Sequence, residues 1–130
     1  MRALRLCIAG LAMAGLLLAA CSGGGGSTSG GNLPALTGDP AAGKTKFEGT
    51  CAACHGQDAK GMPGLGKNLT TSEFAKGKSD PELVAFVKTG RPTSDPLNTT
   101  GVEMPPKGGN SSFTDQDLFD IVAYIRTLEK

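Results

Sequence analysis

Apolar residues recur at helical spacing in two stretches of the chain. In the last, Leu118, Ile121, Val122, Ile125 and Leu128 fall at three- and four-residue steps, which lines one face of a helix. Thr114 stands before it as a cap, and Asp115 and Asp117 place negative charge where the helix dipole favours it. Further upstream, Ser79-Asp80-Pro81-Glu82 has the capping-box pattern. Leu83, Phe86 and Val87 then form an apolar face, and Gly90 is a natural stop. Asp39 to Thr50 predicts a first helix with Pro40 in its first turn. No strand alternation or internal repeat competes, so the pattern predicts an all-α domain.

A different pattern opens the chain. Leu6 to Leu18 is apolar and uncharged and follows Arg2 and Arg5. It is shorter than the roughly 20 residues that a membrane-spanning helix needs, and it suits the core of an export signal better than a retained anchor helix. Leu18-Ala19-Ala20-Cys21 resembles a bacterial lipobox, which implies cleavage before Cys21 and lipidation of that cysteine. An ordinary cleavage site that happens to precede a cysteine is the alternative. Ser22 to Asn32 is nearly all glycine and serine, the composition of a flexible tether. The expected organisation is a signal peptide over 1–20, a lipidated N-terminus and tether over 21–37, and a folded domain over 38–130. The expected location is outside the cytoplasm, on a membrane facing the periplasm or the cell exterior. Outer and cytoplasmic membranes both remain open.

Composition sharpens what the domain must contain. The chain has no tryptophan, one tyrosine, five phenylalanines and twenty glycines. So few large side chains make a thin core, and small domains in that position take a staple, a metal or a cofactor. Losing residues 1–20 removes two of the 13 basic residues, leaving 11 against 12 acidic ones. That balance carries no nucleic-acid footprint.

The staple is written in Cys51-Ala52-Ala53-Cys54-His55, the attachment motif of haem c. Two thiols three residues apart add across the two vinyl groups of one haem, and the adjacent imidazole sits beneath the iron. A structural zinc site needs four ligands in most cases, and the chain has no second histidine and no other cysteine after Cys21. A thioredoxin-like pair expects a βαβ pattern. A plain disulfide leaves His55 unexplained. His55 is the one histidine of the chain, so a sixth ligand from the protein is a methionine. Met1 and Met13 lie in the signal. Met62 follows His55 by seven residues, and Met104 by 49, enough chain to wrap around a haem. The reading takes Met104, in Glu103-Met104-Pro105-Pro106, as distal ligand and Met62 as packing near the haem. A gap-filling role in the core is the alternative for either.

On these residues the stretch from Asp39 to Leu128 resembles the class I cytochrome c family. Gly43 and Phe47 resemble that family's glycine and aromatic at the helix crossing, and Tyr124 the aromatic of the last helix. The resemblance implies three to five helices around one covalently bound haem, with the first and last helices crossing closely. One departure stands out. Many members carry Gly-Pro-x-Leu after the haem motif, and the proline carbonyl accepts the proximal imidazole N–H. Here the segment is Gly66-Lys67-Asn68-Leu69, so the Lys67 carbonyl and the nearby Pro63 are both candidates. In the distal stretch Arg91, Asn98, Thr99 and Thr100 are candidates for the haem propionates, against a solvated loop as the alternative.

The function expected is outer-sphere transfer of one electron, because a His/Met set fills both axial positions and raises the potential. No nucleophile, carboxylate pair or phosphate loop suggests an enzyme. Expected partners are a quinol-oxidising complex, a terminal oxidase or a dehydrogenase, together with the membrane through Cys21. A fixed subunit of a larger oxidoreductase, or a ligand-binding or peroxidatic haem, are the other classes.

Overall fold

The computed structural model describes residues 36–130. The expected signal peptide, Cys21 and all but the end of the tether lie outside the described residues. The fold is all-α. Helix α1 (Pro40–Lys46) runs through a π-helical turn (Phe47–Cys51) into α2 (Ala52–His55). Then come α3 (Glu73–Lys76), α4 (Asp80–Thr89), a 3-10 turn (Pro106–Gly109) and α5 (Asp115–Leu128). Among the described residues no helix is long and apolar enough to cross a membrane.

The caps read from the sequence form. Asp39 adds a cap that the sequence pattern does not mark, accepting from the N–H groups of Ala41 and Ala42. Ser79 donates its N–H and its hydroxyl to Glu82 Oε2 at 2.8 and 2.6 Å. Thr114 and Asp117 make the corresponding box at the start of α5. Helix α3 was not foreseen. Ser72 caps it through the Ala75 N–H at 3.2 Å, but four residues are too few to show a period.

The core lies between α1, α4 and α5. Leu118, Ile121, Val122 and Ile125 are buried from α5, as the period predicts, and Leu83, Val84 and Val87 from α4. Phe47 is fully buried and its ring meets that of Tyr124 at 5.5 Å between centroids. Helices α1 and α5 cross in van der Waals contact of their backbones. A Cβ on Gly43 would stand 1.9 Å from the Asp120 carbonyl oxygen, so glycine alone fits there. The expected helix crossing is therefore present.

Its electrostatic lock was not legible. Asp120, on the buried side of α5, accepts from the Asp39 N–H (2.9 Å), Gln116 Nε2 (2.8 Å) and Lys46 Nζ (2.5 Å). Lys46 also reaches Asp117 at 2.9 Å. At the other end of α5, Arg126 bonds Asp80, Glu129 and the carbonyls of Ala75 and Lys78, tying α5 to α3 and α4.

Candidate functional site

The haem motif sits where the π-helical turn passes into α2. A helical backbone brings Cys51 and Cys54, three residues apart, onto one face. Neither is tied up in a disulfide. Burial, and secondarily the neighbouring Cys54, push the Cys51 thiol up to about 11. His55 ends α2, and Gly56 turns the chain away with φ 76°.

The imidazole acceptor is the Lys67 carbonyl, 2.8 Å from Nδ1. A carbonyl oxygen only accepts, so Nδ1 carries the proton. Burial lowers the His55 pKa and outweighs the Lys67 hydrogen bond, which raises it. The neutral ring therefore keeps its electron pair on Nε2. No proline stiffens this carbonyl. The Gly61 N–H donates to the His55 carbonyl at 2.7 Å, the Met62 N–H to Gly66 at 3.1 Å and the Leu69 N–H to Ala59 at 2.8 Å. A Cβ on Gly61 would stand 2.5 Å from the Gly66 oxygen, and one on Gly66 2.2 Å from the Cys54 oxygen. Interlocked backbone does the work that a proline ring does elsewhere.

The facing wall is the loop from Gly90 to Gly109. Met104 is partly buried and pairs with Arg91 in both directions, N–H to carbonyl, at 2.8 and 2.9 Å. Gly90 has φ 74°, and a Cβ there would stand 2.3 Å from the Met104 oxygen. Between these ends Asn98 organises the loop. Its amide donates to the carbonyls of Pro92 and Val102, and its Oδ1 accepts from Thr100 N, Thr100 Oγ1 and Gly101 N. Asn98 is thereby committed to holding the loop rather than to a propionate. Thr100 is bonded to it, and Thr99 accepts from Lys67 Nζ. Arg91 remains as the cation of the four.

The two walls flank an open slot of about 160 Å³. Cys51, Cys54 and His55 line it together with Leu97, Val102 and Met104 of the distal loop, and Arg91, Thr99 and Thr100 also border it. The lining is mostly apolar, as that of small-molecule and cofactor sites is. Met62 does not line the slot. It is 43 % exposed, in the loop that carries the Gly66 pairing. It borders a neighbouring groove, with Lys67, Thr99 and Thr100, rather than the slot itself.

Comparison with known proteins agrees with this geometry. The family model Cytochrome c matches residues 40–129. The chain belongs to the class I c-type cytochromes. It is 36 % identical over 92 residues to cytochrome c-554(548) of Halomonas halodenitrificans, covering 71 % of this chain and 99 % of that protein. It is 37 % identical over 98 residues to cytochrome c-554(547) of Halothiobacillus neapolitanus, with 71 % and 99 % covered. A shorter likeness, 41 % over 54 residues, joins it to the Cbb3-type cytochrome c oxidase subunit FixP of a Bradyrhizobium strain, covering 41 % of this chain and 19 % of that subunit.

As a member of the family this cytochrome carries covalently bound haem c and transfers electrons on it. The donor set fits that group. Two thiols and an imidazole with a fixed tautomer face an apolar slot, and Gly108 leaves the space beside Cys51 open, since a Cβ there would lie 3.8 Å from its Sγ. What sequence reasoning missed was the scaffold of the loops. Asn68-x-Thr70, Asn98-x-Thr100 and Asn110-x-Ser112 each fold the same way, the Asn Oδ1 accepting from the N–H and the hydroxyl two residues on. That repeated Asn-x-Ser/Thr spacing was the available signal.

Proposed function

We propose that this cytochrome is a lipid-anchored, one-electron carrier in which Cys51 and Cys54 hold the haem by thioethers, His55 is the proximal ligand and Met104 the distal one. The observation that carries the reading is the arrangement of the slot. The His55 Nδ1 is spent on Lys67 and Nε2 keeps its electron pair, while Met104 is the methionine on the facing wall. Bound haem supplies an iron that changes oxidation state by one electron, with a potential raised by a thioether ligand. The chain's own task is to hold both ligands still, so that little reorganises when charge moves. The apolar lining keeps water from the metal and disfavours the extra charge of the oxidised state.

For location, the reading is export under the 1–20 signal, with lipid on Cys21 and a tether that lets the 38–130 domain reach its partners from the membrane surface. Acyl chains at about 0.8 kcal/mol per buried CH₂ make a firm anchor when two or more are present. The likeness to FixP, an oxidase subunit by its name, supports a terminal oxidase among the redox partners; a quinol-oxidising complex or a dehydrogenase fits the donor side.

Met104→Ala is the deciding experiment. The expected result is loss of the weak methionine–iron charge-transfer band at the red end of the visible spectrum, a lower potential, and rapid binding of cyanide or carbon monoxide. Met62→Ala is expected to leave all three unchanged. Should the Met104 variant keep the band and exclude cyanide, the ligand assignment is wrong. Cys21→Ser tests the anchor separately: the variant should leave the membrane fraction or remain unprocessed.

A further inference from the structure

Arg91 stands at the joint between α4 and the distal loop, and its side chain is restrained beyond what the loop's own turns require. The guanidinium carbon lies 4.5 Å from the Phe74 ring centroid and 4.8 Å from that of Phe86. The two rings meet edge to face at 4.8 Å. Asp95 Oδ2 stands 3.1 Å from Nε, and Nη1 donates to the Leu97 carbonyl at 3.3 Å. The side chain is 14 % exposed, and Nε is buried with no hydrogen-bond partner among the described residues. A buried N–H without an acceptor is costly. Despite that cost the guanidinium is held by ring stacking, by the Asp95 charge and by the Nη1 bond to Leu97. Both backbone polar groups of Met104 are bonded to this same residue. The Asn98 network, by contrast, closes the loop on itself between Pro92 and Val102.

We infer that Arg91 is a positioning residue for Met104. Phe74, Phe86 and Asp95 fix the guanidinium, and the two-way backbone bridge passes that restraint to the methionine, which stays over the slot. Phe74 belongs to α3 and Phe86 to α4, so the packing of these helices sets how firmly the iron's sixth position is closed. The inference rests on Met104 as distal ligand and goes beyond it by naming what keeps the ligand in place.

The test uses the oxidised holoprotein and the rate at which imidazole displaces the methionine, followed in the charge-transfer band. Arg91→Ala should weaken the band and speed displacement by about tenfold or more, equivalent to ~1.4 kcal/mol. Arg91→Lys keeps the charge but has no planar face to lie between two rings, so it should show most of the same effect. Phe74→Leu should move the rate in the same direction with Arg91 intact. Ile125→Val, a core loss in α5, is the control: it should lower the melting temperature and leave the displacement rate alone. Rates within about twofold of wild type, or ~0.4 kcal/mol, in both Arg91→Lys and Phe74→Leu would overturn the inference, even if Arg91→Ala fails to fold. A wild-type protein without the methionine band overturns the ligand assignment and this inference together. A wild type with the band and unchanged variants overturns the inference alone.

Discussion

The α1–α5 crossing and the two loops that wall the slot are held by different forces. At the crossing, side chains do the work: Phe47, Leu118, Ile121 and Val122 are nearly or fully buried, and Lys46 closes an ion cluster on Asp117 and Asp120. In the loops, backbone and small polar side chains do it. Met62 pairs with Gly66, Arg91 with Met104, and Asn-x-Ser/Thr turns at Asn68, Asn98 and Asn110 fix bends within or beside them. The difference teaches a division of labour. Apolar burial supplies stability without fine placement, whereas directional hydrogen bonds place atoms and add little net stability each. Crossing variants should therefore change melting and spare the ligands, and loop variants should do the reverse.

The strongest attempt to break that contrast is Phe47→Ala. Phe47 is fully buried and touches Tyr124, and removal of such a ring costs about 3–5 kcal/mol. The denaturant midpoint should fall steeply, while the remaining folded protein keeps its methionine band. If the band disappears before the fold does, crossing and slot are one unit and the contrast is mistaken.

Next in size is the ion cluster, which acid should undo. Burial pushes the Asp120 carboxyl up, but hydrogen bonds from the Asp39 N–H, Lys46 and Gln116 together bring it below the ordinary 3.8. Asp117 is held lower still by Lys46 and the Thr114 cap. Both folded values lie under the unfolded one. The stabilisation is therefore complete above about pH 5 and is lost as the pH falls through the unfolded value toward the folded ones. Lys46 is shifted the other way, by its hydrogen bonds to Asp117 and Asp120, so its share is lost only above its ordinary 10.5. Asp120→Asn should cost about 1.5–3 kcal/mol at pH 7, the range for hydrogen bonds to charged groups. It should also flatten the drop in stability between pH 5 and pH 2, measured by urea titration at each pH (about the span in which carboxylates protonate). An unchanged acid limb would place the acid sensitivity in other carboxylates.

The same division explains what the sequence made legible. Periodicity reports burial, so α5, the face of α4 and their caps could be read before any coordinates. The Cys51–His55 motif was legible because its chemistry fixes its spacing. Asp120 was hidden because a buried carboxylate at a helical position looks like a surface one until its partners, Asp39 and Lys46, are known to fold against it. The Lys67 acceptor stayed open between two carbonyls because glycine interlock leaves no side-chain signature. Met62 is close to His55 in sequence yet lines the groove beside the slot, because nearness along the chain does not report which cavity a loop residue borders.

A smaller effect on stability, with a clear effect on the site, is expected from Asn98→Ala. The side chain makes bonds to Pro92, Val102, Thr100 and Gly101, but in an exposed loop these exchange with water. The loss of global stability should be about 1 kcal/mol, the net value of an ordinary hydrogen bond rather than a sum over four. Amide hydrogen exchange across 92–104 should rise far more than exchange in α5. Equal acceleration in both regions would mean that the loop has no separate stability.

The smallest effect distinguishes the two regions at a single methyl group. Ala59 is fully buried in the proximal loop, yet its backbone has φ 56°, a conformation that costs an L-residue about 1–2 kcal/mol. Its N–H donates to Gly56 at 3.1 Å and its carbonyl accepts from Leu69 at 2.8 Å, so backbone pairing holds it there. Ala59→Gly removes that strain. Against this, it removes one buried methyl, at about 0.8 kcal/mol, and adds freedom to the unfolded chain, at about 0.5–1 kcal/mol. The opposing terms nearly cancel. The variant should melt within about 0.5 kcal/mol of wild type, the usual range of substitutions that touch no special feature. Burial alone, applied as it holds at the crossing, predicts a clear loss. A measured loss above about 2 kcal/mol, in the range of large-to-small core losses, would show that side-chain packing rules the loop as well, and that the contrast between the two regions fails at its most sensitive position.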